Sequence, residues 1–198
     1  LSDRQDLYLL VVACEDQLDQ LKATPGLVDG GDLWREDICN LLLDVGRRQD
    51  EGLASYVDIL VNAAGSVGHV RRRSDPSWIP PGLVVQAKQI PERKAWTIEL
   101  KVPFSSLGVD EANFPKVWGA NFLRSRSPDR GVWIDRDSTE DPAYMNFEFA
   151  WRGNAAASAH RPDRFGVLYL QAGNALPETL LKALADLDLH LVRAGAAV

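Results

Sequence analysis

The sequence predicts an all-β protein, an antiparallel β-sandwich followed by a C-terminal α-helix. Three observations carry this. The segment "WTIELKV" alternates Trp96, Ile98, Leu100 and Val102 against Thr97, Glu99 and Lys101. Period-two alternation of this kind marks a strand with one dry and one wet face. Short apolar runs recur at roughly ten-residue spacing with Gly and Pro between them, the texture of a sandwich or barrel. Only the tail changes period: Leu180, Leu184, Leu187 and Leu191 fall at helical spacing, between Pro177 and Gly195. Residues 1–172 are therefore expected to form the sandwich, and residues 173–198 an amphipathic helix or a linker to a further domain.

The elements follow in order. Leu7 to Cys14 is a Val- and Leu-rich run ended by Glu15 and Asp16, and reads as a buried strand. Residues 15–36 are acidic and glycine-rich and read as a loop with one helical turn near Leu18 to Lys22. Ile38 to Val45 and Tyr56 to Asn62 read as a hairpin, with Val67 to Val70 extending its second arm. Residues 71–82 hold three prolines and are expected to form no regular element. Leu83 to Ile90, Trp96 to Val102 and "VWGANFLRSRS" are further strands. "GVWIDR", "MNFEFAW" and "FGVLYLQ" continue the texture.

Composition narrows the function classes. The net charge is −6, so there is no global positive field to collect nucleic-acid phosphates. The basic cluster Arg71-Arg72-Arg73 is followed by Asp75 and reads as a solvated loop. No apolar run has membrane-spanning length. The chain opens almost directly on a strand, and the expectation is that residues preceding Leu1 are not included. Cys14 and Cys39 both fall in expected strands as small core residues, and spacing leaves open whether they pair. No Cys-x-x-Cys or Cys/His cluster points to zinc. His69, His160 and His190 lie in unrelated segments, and no G-x-S-x-G motif supports nucleophilic chemistry.

The ordered set of segments resembles the family 9 carbohydrate-binding modules over roughly residues 6–171. The resemblance rests on W-x-x-E-x-x-x-P-F-x-x-L-G (Trp96 to Gly108), W-G-x-N-x-x-R (Trp118 to Arg124) and P-x-x-F-G (Pro162 to Gly166). Such modules open with further strands, so it also implies that a neighbouring domain or chain supplies the missing ones. It implies a non-catalytic, extracytoplasmic module of a larger carbohydrate-processing protein, with a polysaccharide or oligosaccharide as ligand. No cofactor is required, though some relatives hold a structural calcium.

In sugar-binding members two Trp residues clamp a terminal sugar, and strand polar groups bind its hydroxyls. The physics is general: a pyranose presents C–H bonds to an aromatic face and needs directed partners at its edge. Trp34 falls on the first clamp position, in "DLWREDICNLLLD". Asn62 falls on a strand-end amide position, and Asp37 on the acid of the strand motif. Asn40 stands where the motif has Glu, and Leu60 where a polar residue reaches the sugar. The second clamp position carries Ala159 and His160 in place of Trp.

The expected ligand contacts are thus Trp34, Asn40, Asn62, Arg124 and His160. Asp29, Asp32 and Asp37 are the expected metal ligands, since oxygen-rich loops suit calcium. Arg124 has a second reading, as a buried ion pair with Glu99. Two other functions stay open. In one, the sandwich has lost its sugar site and serves as a structural or interaction domain. In the other, haem b is held by Met145 with Lys101 or His69, as in some members of the superfamily.

Overall fold

The computed structural model describes residues 2, 5–26, 33–48, 56–72, 78–127, 147–150 and 162–170. Among them nine strands form two antiparallel sheets: β1 (Asp6–Cys14), β2 (Ile38–Asp44), β3 (Tyr56–Asn62), β4 (Val67–Arg72), β5 (Val84–Ile90), β6 (Ala95–Pro103), β7 (Val117–Ser125), β8 (Phe147–Ala150) and β9 (Gly166–Tyr169). The smaller sheet has the order β1-β6-β5. The larger runs β4-β3-β2-β7-β8, with β9 also paired to β7. No α-helix occurs among the described residues, and the expected C-terminal helix lies outside them.

Alternation places the core. Leu7 of β1 and Trp96, Ile98, Leu100 and Val102 of β6 face Cys39, Leu41 and Leu43 of β2, Ile59 of β3 and Trp118 and Ala120 of β7. Trp118 is fully buried, and its indole N–H donates to the Pro115 carbonyl at 2.6 Å. Phe104, in the 3₁₀ turn Phe104–Leu107 that ends β6, meets the Trp118 ring edge-on at 5.8 Å. Trp78 packs against the same core from its proline-rich loop.

Several expectations are revised. The supposedly wet face of β6 is dry at Thr97 and Glu99, which are 2% and 4% exposed. The reason is position: β6 is the central strand, and Glu99 lies between Leu10 of β1 and Gln86 of β5. Strand β1, expected to be buried, leaves Val12 and Cys14 exposed on its outward side. Cys14 and Cys39 form no disulfide with each other and lie on strands of different sheets.

Val67 does not prolong β3. The chain reverses through Gly65, at φ +83°, and β4 returns antiparallel as far as Arg72. Two of the residues expected to be irregular, Arg71 and Arg72, therefore belong to a strand, because the prolines begin only at Pro76.

Candidate functional site

The larger sheet has a second face, turned away from the sandwich core. Across β3, β2 and β7 its rows are Asn62–Ile38–Ser125, Leu60–Asn40–Leu123, Asp58–Leu42–Asn121 and Tyr56–Asp44–Gly119. A polar centre of Asn40, Asp58 and Asn121 is thus bordered by two apolar groups. One is Leu33, Ile38 and Leu60. The other is Leu42, Tyr56, Leu123 and Phe165, in which Tyr56 and Phe165 pack edge to face at 5.4 Å. Apolar walls around a few directed polar groups are the usual make-up of a small-molecule site.

Asn40 is 7% exposed. Its side-chain N–H donates to Asp58 Oδ1 over a long 3.4 Å, and its Oδ1 has no partner among the described residues. Ser125 Oγ, on the same face, is likewise buried without a described partner. A buried polar atom left unpaired costs about 1–3 kcal/mol, so such atoms call for an explanation, and a ligand is one.

Trp34 lies in the 3₁₀ turn Leu33–Arg35, which rests against β3 and β4. Leu33 anchors that turn on Leu60, the cross-strand neighbour of Asn40. The turn is closed by the Glu36 N–H donating to the Leu33 carbonyl at 3.0 Å. The backbone of Trp34 is therefore held at the edge of this face.

Behind the turn a buried knot fixes the long loop after β1. Glu36 accepts from Asn62 Nδ2 at 2.7 Å, from the Thr24 N–H at 3.0 Å and from the Thr24 hydroxyl. Asn62 also donates to the Thr24 carbonyl at 3.0 Å, and its Oδ1 accepts from the N–H groups of Ala64 and Ser66. Both donors and both acceptor sites of the amide are thereby used. Asn62, expected to contact sugar, is instead a tie between β3, its turn and the loop.

Arg124 is also moved by the structure. Parity puts it on the inward face with Trp118, and its guanidinium lies 5.2 Å from the centre of the Trp96 ring. It pairs with Glu15 at 3.0 Å and lies 3.8 Å from Asp37, and Arg126 reaches the same Glu15 oxygen at 3.4 Å. Its alternative partner Glu99 belongs to the outward side of the smaller sheet, since the core residues Ile98 and Leu100 flank it. Arg124 therefore closes one end of the sandwich rather than lining the outer face.

Asp37 is fully buried. Its carboxylate accepts the Lys22 N–H at 2.8 Å, its own N–H donates to the Lys22 carbonyl, and its carbonyl accepts from Ala63. Asp37, expected as a metal ligand, thus holds the Lys22 loop and the turn after β3 in place. Among the described residues no group of three or more His, Cys, Asp or Glu is gathered to hold a metal ion. Asp29, Asp32 and His160 lie outside the described residues, as does Met145 of the haem reading. Lys101 of that reading pairs with Asp6 at 3.5 Å.

The sequence reading passed over Asp58, Asn121 and Ser125. Their signal was parity, because each shares the outward register with Asn40.

No protein-family model matches the chain, and no curated protein matches it. Solved structures do. The fold, two antiparallel sheets, resembles the sandwich of family 9 carbohydrate-binding modules. It is similar to a family 9 carbohydrate-binding module from Caldicellulosiruptor kristjanssonii in complex with glucose (TM-score 0.56, 12% identity, 89% of this chain and 76% of that one). It is similar to the module from the same organism in complex with cellotriose (TM-score 0.57, 12% identity, the same coverages). At that identity the likeness is one of fold, and it extends over most of the chain.

Proposed function

We propose that this domain is a non-catalytic carbohydrate-binding module. It takes a neutral sugar, glucose or a short glucan, on the outer face of the larger sheet. Trp34 is the stacking platform, and Asn40 is the amide that hydrogen-bonds the ring hydroxyls. The observation that carries this reading is Asn40 itself. Its Oδ1 is buried and unpaired among the described residues, and the row it occupies also holds the Leu60 on which the Trp34 turn is anchored. A sugar hydroxyl is a donor of the kind that oxygen lacks. The similar modules crystallised with glucose and cellotriose supply the ligand class.

A catalytic role draws less support. Glycoside hydrolysis needs two carboxylates fixed across a cleft, whereas Glu15, Glu36 and Asp37 hold loops and guanidinium groups inside the protein. The rival reading, a sandwich that has lost its site and serves as an interaction domain, has an observation in its favour. Asn62 and Arg124 both belong to the scaffold, and Asn40 is a weaker acceptor than the Glu of the motif.

The test is a titration of the ¹⁵N-labelled protein with glucose and with cellotriose, beside the Trp34→Ala variant. Saturable shifts that the variant abolishes support the module. The interaction-domain reading gains if neither sugar shifts any resonance.

A further inference from the structure

We propose that Gly68 is a positioning residue for Trp34, setting how closely the platform turn sits over the Asn40 row. The proposal rests on the sugar-binding reading for its consequence, but the geometry stands on its own. Gly68 lies inside β4, and it is absent from the glycines with positive φ. Its backbone therefore does not require glycine. A glycine within a strand weakens the strand and often marks a place where another segment approaches closely.

The approaching segment is Leu33. A Cβ on Gly68 would lie 2.9 Å from Leu33 Cδ2, 3.3 Å from its Cβ and 3.6 Å from its Cγ. A clash with Cδ2 alone would be relieved by a rotamer change. Contact with Cβ as well means that the residue lies along Gly68 from its base to its tip, and the turn itself must give. Leu33 is 1% exposed and packs against Ile38 and Leu60.

The turn also has no slack on its other side. The Glu36 N–H closes it onto Leu33, and the Glu36 carboxylate is held by Asn62 and Thr24. Trp34 lies between these two fixed points. Gly68 pairs with Leu60, and Leu60 pairs with Asn40. The notch and the amide thus lie in one row, two strand spacings or about 10 Å apart. Filling the notch displaces the turn relative to Asn40, and a ligand that must touch both no longer fits.

The test uses the full chain labelled with 5-fluorotryptophan, in which the Trp34 signal is identified by its loss in Trp34→Phe. Gly68→Ala is expected to shift the Trp34 ¹⁹F resonance while the core signals of Trp96 and Trp118 stay in place. Cellotriose binding by the same variant is expected to weaken about tenfold, equivalent to about 1.4 kcal/mol. In a Leu33→Ala background the Cδ2 and Cγ contacts are gone and only the 3.3 Å contact with Cβ remains, so adding Gly68→Ala is expected to weaken binding less than it does in the parent. A merely structural effect on β4 would act equally in both backgrounds.

The inference is overturned if the Trp34 resonance does not move in Gly68→Ala. It is equally overturned if the variant binds cellotriose as the parent does. If the parent chain binds no sugar, the sugar reading fails by itself, and the ¹⁹F shift alone decides whether Gly68 positions Trp34.

Discussion

Replacing Asn62 by Ala separates a scaffold role from a ligand role. The amide makes four hydrogen bonds, two donated and two accepted, all inside the protein. The bond to the buried Glu36 carboxylate is charge-assisted and contributes about 2 kcal/mol, and each neutral bond contributes about 1 kcal/mol. The set comes to about 5 kcal/mol, and loop relaxation with water entry reduces the expected loss to about 3 kcal/mol. In a domain of this size that corresponds to a fall in Tm of about 6–12 °C. Urea denaturation followed by Trp fluorescence measures the change. Asn62→Asp is expected to do no better, because it sets a second carboxylate beside Glu36, where the amide nitrogen stands at 2.7 Å. A loss below about 1 kcal/mol for Asn62→Ala would refute the reasoning. The amide would then be free for a ligand, as the sequence alone had implied.

Two further substitutions probe the buried charges and the outer face. Glu15→Ala strands Arg124 and Arg126 without their shared carboxylate, and is expected to cost about 3–5 kcal/mol in the same denaturation assay. Asn40→Leu removes a buried oxygen that has no described partner, so stability is expected to stay within about 1 kcal/mol of the parent or to rise. Calorimetric titration with cellotriose should nonetheless show its affinity reduced about tenfold or more.

The fold was legible because strand alternation is a local property. Trp96, Ile98, Leu100 and Val102 announce a strand whatever surrounds them, and all four face the core. What alternation does not show is whether a strand is central or at an edge. Thr97 and Glu99 look like a solvent face until β1 and β5 are placed on either side of β6.

The candidate site divides in the same way. Trp34 and Asn40 were found from their positions in a motif. Arg124 was found from a motif too, but its parity with Trp118 already placed it with the core. Asn62 has the outward parity of Asp58 and Leu60. Only the three-dimensional return of Thr24 and Glu36, distant in sequence, shows that its hydrogen bonds are spent. Asp58, Asn121 and Ser125 carry no motif and become visible once β3, β2 and β7 are in register.

The central claim is that a sugar occupies the outer face of the larger sheet, and amide shift mapping on titration with cellotriose tests it most directly. The account predicts saturable shifts at Leu33 to Arg35, Asn40, Leu60 and Leu123, lost in Trp34→Ala, with the smaller sheet unaffected. Shifts confined to β1 and β5, or a Trp34→Ala variant that binds as the parent does, would contradict it.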